Sequence, residues 1–272
     1  MQQIFHHMDQ ATISSRGATL HAIAAGPAGA PAVVLMGSLA SDTTSWASQI
    51  EALAGAGLRA ISFDFRGHGA SSTAPPPFTL ELFMDDLRAT CRHFGVTRPH
   101  LVGLSLGGMV AMHAAIHAGA DYAGIVVASA RAHMPEAAAN AWVARAAEVR
   151  RDGVGIVVDG SIERWFTEAF RQAHPEAVQA AREMILRTDA AAYADCIDIV
   201  RSVDLLRHLP SVRLPALYLV GEHDLAATPA EMGDMAARTP GARLEIIPAA
   251  AHMPAIEQPA AFNACLLGFL GK

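Results

Sequence analysis

A serine, an aspartate and a histidine, far apart along the chain but each just beyond an apolar run, are the residues best placed to do chemistry together. Ser105 stands in Leu101-Val102-Gly103-Leu104-Ser105-Leu106-Gly107-Gly108, a G-x-S-x-G match. Small residues on both sides permit a sharp strand-to-helix turn that lifts the hydroxyl above a sheet edge. A serine hydroxyl is weakly nucleophilic at neutral pH and needs a base. His252, in Pro248-Ala249-Ala250-Ala251-His252-Met253-Pro254, is the candidate base. Asp224, in Gly221-Glu222-His223-Asp224, is the candidate acid that would fix the imidazole tautomer. The developing oxyanion would need two oriented donors. The N–H of Leu106, at a helix start, and the N–H of Leu39, in Met36-Gly37-Ser38-Leu39-Ala40, are the candidates.

Other residues compete for these roles less well. Ser38 lacks the elbow context, Glu222 is nearer its strand end, and Asp121 falls in a surface connection. His68 belongs to Asp64-Phe65-Arg66-Gly67-His68-Gly69-Ala70-Ser71, which reads as a rigid bend that Arg66 and Asp64 stabilise electrostatically. His113 and His117 have the i, i+4 spacing of a metal site, but the stretch is HAAIH, without the glutamate of H-E-x-x-H. His6, His7 and His223 complete no site, so no metal is expected. G-x-G-x-x-G after a strand and G-x-x-x-x-G-K-[ST] are both absent, which leaves no nucleotide-binding signal.

The elements that must position these residues are short and strongly apolar. Residues 32–36, 58–63, 100–102, 124–128, 216–220 and 244–247 read as strands covered on both faces, hence a parallel sheet. Residues 78–94 place Leu80, Phe83, Met84, Leu87, Cys91 and Phe94 three or four apart, the stripe of a buried helix. Alternating strands and helices point to an open α/β sheet. Its sites lie beyond the carboxyl ends of the strands, where all three candidates fall. The alternation breaks over residues 131–209, an Ala-rich stretch divided by Pro135, Gly153, Gly160 and Pro175. Only Gly155-Ile156-Val157-Val158 reads as a strand there. The expected organisation is sheet domain over 1–130, helical cap over 131–209, and sheet domain again over 210–272. Trp142 and Trp165 lie in the cap, as core aromatics or as walls of a substrate cavity.

Composition narrows the partners. With 272 residues, 52% of them hydrophobic and 17% charged, the chain has enough apolar material for one large core. A net charge of −6 and the lack of any Lys/Arg block weigh against nucleic acid and anionic membranes. Cys91, Cys196 and Cys265 are too scattered for a disulfide framework and read as buried thiols. The stretch MQQIFHHMDQ has no signal-peptide pattern, and no long uninterrupted apolar run follows. A soluble cytoplasmic protein is expected, with self-association left open.

The order Ser105, Asp224, His252 is that of α/β-hydrolases and not of either serine protease pattern. With it, nearly the whole chain resembles the α/β-hydrolase superfamily, and most of all the bacterial 3-oxoadipate enol-lactonases. The resemblance includes the Ser38-Leu39 loop with Trp46, the 64–71 bend, the elbow, and the Asp224 and His252 loops. Its most specific part is the cap segment ERWFTEAFRQAHPE, which carries Arg164 and Trp165. The resemblance implies hydrolysis of a small carboxylate-bearing enol-lactone through a serine acyl-enzyme, without a cofactor. It also implies a basic residue after the 124–128 strand, where Arg131 stands, with Arg164 in reserve as the carboxylate partner. Trp142 and Trp165 complete the expected substrate-binding set. Two departures stand out. These lactonases usually carry Asn-Ser-Leu-Gly where this chain has Gly37-Ser38-Leu39-Ala40, and Gly-Ala where it has Ala250-Ala251. Rival expectations are a carboxylesterase or thioesterase for neutral acyl groups, hydrolysis of dienelactones or N-acyl homoserine lactones, and a non-catalytic small-ligand binder on the same fold.

Overall fold

The computed structural model describes residues 8–272. His6 and His7 lie outside the described residues. Among the described residues, eight strands form one sheet in the order β1-β2-β4-β3-β5-β6-β7-β8. Strands β1 (Asp9–Ser15) and β2 (Ala18–Ala25) form an antiparallel hairpin, and β2 pairs antiparallel with β4 (Arg59–Phe63). Strands β3 (Ala32–Met36), β5 (His100–Leu104), β6 (Gly124–Ala128), β7 (Ala216–Gly221) and β8 (Arg243–Ile247) join β4 in a parallel array. β3 to β7 are buried along their whole length apart from His100, as their continuous apolar runs require.

Helices α1 (Ala47–Gly55), α2 (Leu80–His93) and α3 (Leu106–His117) follow β3, β4 and β5. On α2, Phe83, Met84 and Leu87 are buried, and α2 packs beside α3. Five helices separate β6 from β7: α4 (Glu136–Asp152), α5 (Val158–Trp165), α6 (Glu168–Ala173), α7 (Pro175–Leu186) and α8 (Ala190–Ser202). They form the cap region. Three more follow: α9 (Pro229–Arg238) after β7, then α10 (Pro254–Glu257) and α11 (Pro259–Phe269), which packs on α1. Among the described residues, no helix is long and apolar enough to cross a membrane.

Three expectations are corrected. Gly155-Ile156-Val157-Val158 is not a strand: Val154–Val157 is a 3-10 turn leading into α5. Four apolar residues flanked by helices have no sheet edge to join, so helix wins. Arg66 does not pair with Asp64. Its guanidinium forks onto Asp86 of α2, at 2.9 and 2.6 Å, with both side chains fully buried. Asp64 instead accepts the N–H groups of Thr43 and Ala70, at 2.7 and 2.9 Å, and so builds the bend from backbone. Of the cysteines, Cys196 is buried, but Cys91 and Cys265 are partly exposed.

Parallel register brings the functional loops to one edge. Met36 of β3 lies beside Gly103 of β5, Leu104 beside Ala128 of β6, and Gly221 of β7 beside Ile247 of β8. The loops leaving those strands carry Leu39, Ser105, Arg131, Asp224 and His252.

Candidate active site

Ser105 sits where β5 passes into α3, with φ 53° and ψ −109°, a conformation costly for any residue with a Cβ. Its neighbours make the turn possible. A Cβ on Gly103 would come within 2.0 Å of the Gly107 carbonyl oxygen, and one on Gly107 within 2.3 Å of the Met36 carbonyl oxygen. The Gly107 N–H donates to the Gly37 carbonyl at 3.0 Å, which ties the elbow to the loop after β3. In that loop the Ser38 N–H donates to Ser41 Oγ at 2.7 Å. Ser38, Leu39 and Ser105 thereby line one cavity. Leu106 is the first residue of α3, so its N–H has no acceptor within its own helix.

Asp224 and His252 meet directly. His252 Nδ1 lies 2.9 Å from Asp224 Oδ2 and 3.2 Å from Oδ1, with both residues buried. An ionised carboxylate only accepts, so Nδ1–H donates and Nε2 is the nitrogen left to act as base. His252 lines the same cavity as Ser105. Burial pushes the Asp224 carboxyl up. The His252 ring and the N–H groups of Ala227 and Ala226 outweigh it and hold the group below the usual aspartate range. The two loops are laced by backbone: Glu222 N–H donates to Ile247 O at 2.9 Å, and His223 N–H to Ala250 O at 2.8 Å.

His68 and Glu222 are elsewhere. The His68 ring is fully buried against the Arg66 carbonyl, its protonation suppressed by burial, and it does not line the cavity. Glu222 is exposed and accepts from the Ala249 N–H.

The cavity has a volume of about 250 Å³ and is lined on one side by the cap. Arg131, Trp142, Arg164 and Trp165 all line it, joined by Arg145 and Tyr193, which sequence reading passed over. Arg145 stacks 4.9 Å over the Trp142 ring, one turn earlier on α4; the Trp-x-x-Arg spacing was the available signal. Arg164 donates to Ser161 Oγ at 3.1 Å, and burial, then repulsion from Arg145, lower its pKa. Arg131 is already engaged: its guanidinium lies 3.0 Å from Glu231 Oε1, and Glu231 is held by Thr228 in the capping box of α9. A second carboxylate on that guanidinium would meet the like charge of Glu231. Arg131 Nε and the fully buried Ser129 Oγ have no partner among the described residues.

Glu257 was also missed. Its buried carboxylate accepts from the Thr167 N–H at 2.9 Å and from the Thr167 hydroxyl, and on its other oxygen from the Ala251 N–H at 2.8 Å. One side chain thus joins the cap to the residue preceding His252. The Met253 N–H adds a bond to the Trp165 carbonyl at 3.0 Å.

The chain is similar to known hydrolases over nearly its whole length. 3-Oxoadipate enol-lactonase 2 of Acinetobacter baylyi is 30% identical over 260 residues, which cover 96% of this chain and 95% of that protein. The crystal structure of the enol-lactonase from Burkholderia xenovorans superposes with a TM-score of 0.92 at 30% identity, over 96% of this chain and all of that one. A thermophilic esterase from Thermogutta terrifontis, solved with malate bound, gives 0.90 at 30% identity, over 97% of this chain and 98% of that one. The activity is of the serine-hydrolase type, esterase or lactonase, on small acyl or lactone substrates. Residues 21–264 match the pattern of the Alpha/beta hydrolase family, and with these relatives the chain belongs to that family.

Proposed function

We propose that the protein hydrolyses a small enol-lactone bearing a carboxylate, of the 3-oxoadipate enol-lactone type, with Ser105, His252 and Asp224 as its catalytic residues. One observation carries this reading: Ser105 and His252 open into a small cavity whose remaining polar wall is rich in arginine. Such a wall favours an anionic acyl group over a neutral one. Two named enol-lactonases among the relatives support the lactone, and a relative solved with malate supports a small carboxylate in the pocket.

Ser105 Oγ attacks the lactone carbonyl while His252 Nε2 takes the hydroxyl proton, and Asp224 stabilises the imidazolium. The Leu39 and Leu106 N–H groups receive the oxyanion, each worth about 3 kcal/mol of transition-state stabilisation. As the tetrahedral intermediate collapses, the ring C–O bond breaks and the enolate oxygen leaves, its charge delocalised. It takes the proton held on His252 Nε2, which frees that nitrogen to act as base again, and it ketonises, which draws the reaction forward. A water then gives its proton to His252 and attacks the acyl ester. Collapse returns the proton to Ser105 and releases the carboxylate.

The reading is tested by kcat/KM on 3-oxoadipate enol-lactone against short p-nitrophenyl esters. The lactone is expected to be preferred; a tenfold or greater preference for the neutral esters would replace this reading with a carboxylesterase.

A further inference from the structure

The cavity holds three arginines, and they are not equivalent. Arg131, on the sheet side after β6, has its charge met by Glu231, whose Oε2 is itself held by the Thr228 N–H at 2.9 Å. Glu231 is thus part of the helix start and cannot swing away without undoing the cap of α9.

Arg145 and Arg164 differ. Several other cap arginines have carboxylate partners: Arg150 with Asp195, Arg182 with Asp159, Arg187 with Asp42. Among the described residues, Arg145 and Arg164 form no such pair, although both are partly buried and face the cavity. They come from successive helices, α4 and α5, and both line the cavity together with the buried Tyr193 of α8. Each guanidinium is steered by a neighbour on its own helix, Arg145 by the Trp142 ring and Arg164 by Ser161 Oγ. Two like charges lining one small cavity are costly unless an anion joins them. Stacking on a ring leaves the in-plane N–H groups of Arg145 free for a planar acceptor.

We propose that Arg145 and Arg164, with Tyr193 beside them, form the subsite for the carboxylate of the substrate, and that Arg131 does not. Arg131 serves as a structural tie to α9, and the buried Ser129 hydroxyl offers a hydrogen bond to the uncharged part of the ligand. This assignment deepens the proposed function and rests on it for the identity of the anion. Its chemistry is that of a short aliphatic carboxylate whose other end reaches Ser105.

The test uses binding rather than turnover, so the two readings can fail separately. Adipate, and its neutral counterpart adipamide, are titrated calorimetrically into the intact protein and its variants. Adipate should bind at least about tenfold more tightly than adipamide, as charge-assisted hydrogen bonds imply. Arg145→Gln and Arg164→Gln should each weaken adipate by about tenfold or more and leave adipamide within about twofold. Arg145→Lys, which keeps the charge and loses the planar fork, should fall between. Arg131→Gln should change adipate binding by less than about threefold. The proposal is overturned if adipate fails to bind, if it binds no better than adipamide, or if both cap variants leave its affinity unchanged. A larger loss in Arg131→Gln than in either cap variant overturns it too. Preferred turnover of neutral esters alongside intact adipate discrimination would remove the lactonase reading and keep the subsite.

Discussion

At the carboxyl edge of the sheet, backbone does the positioning; in the cap, side chains do. Ala40, Ser105, Ser129 and Ala249 all have positive φ, at 63°, 53°, 46° and 51°, and each lies in a loop leaving a parallel strand. Strain of this kind persists only where the surroundings over-determine it, and here paired strands and glycine contacts do so. Arg145 and Arg164 lie instead on regular helices, oriented by a ring and a hydroxyl one turn away. On the proposed function, the difference is a division of labour: the strained edge would fix where bonds break, and the cap would choose what is presented to it.

Three substitutions would break or sharpen that contrast. Ser105→Ala should lower kcat by at least about 10⁴-fold, since removing a triad serine leaves only binding and the oxyanion donors. Adipate affinity measured on the same variant should stay near that of the unaltered protein, separating edge from cap. Glu257→Gln strikes the junction between them. An amide cannot accept at both of its ends, so a buried N–H at Thr167 or Ala251 loses its partner, at about 1–3 kcal/mol. Thermal denaturation should show a Tm lowered by several degrees, and kinetics a fall in kcat exceeding any rise in KM, because Ala251 precedes His252. An unchanged kcat with a lowered Tm would reduce Glu257 to a structural tie. Ala40→Gly should have the smallest effect, a gain of up to about 1 kcal/mol on chemical denaturation, by relieving a left-handed alanine. A loss of stability there would mean that the edge is not strained at this loop.

What could be read in advance follows the same division. Glycine spacing and apolar runs mark Ser105, and strand-end position marks Asp224 and His252, because backbone constraints are local in sequence. The hairpin of β1 and β2 escaped, although Arg16 and Gly17 both have positive φ, at 43° and 80°, as a two-residue hairpin turn demands. Its strands, Asp9–Ser15 and Ala18–Ala25, mix alanine, serine and threonine, so their alternation is faint. The cap was legible as helical, but long-range side-chain contacts were not, there or in the sheet domain. Asp86 captures Arg66 across 20 positions, Glu231 holds Arg131 across 100, and Glu257 reaches Thr167 across 90. Pairings of that range depend on how helices pack, which no local pattern encodes. Arg145 was missed for a related reason, since a lone arginine on an Ala-rich helix resembles a solvated one until its cavity is seen.

The most direct test of the central claim is to find which atom becomes covalently modified. Treating the protein with a fluorophosphonate, digesting it and mapping the adduct by mass spectrometry should place the label on the peptide containing Ser105. Ser105→Ala protein should remain unlabelled. An adduct on another serine, Ser38 or Ser129 included, or equal labelling of the variant, would contradict the account.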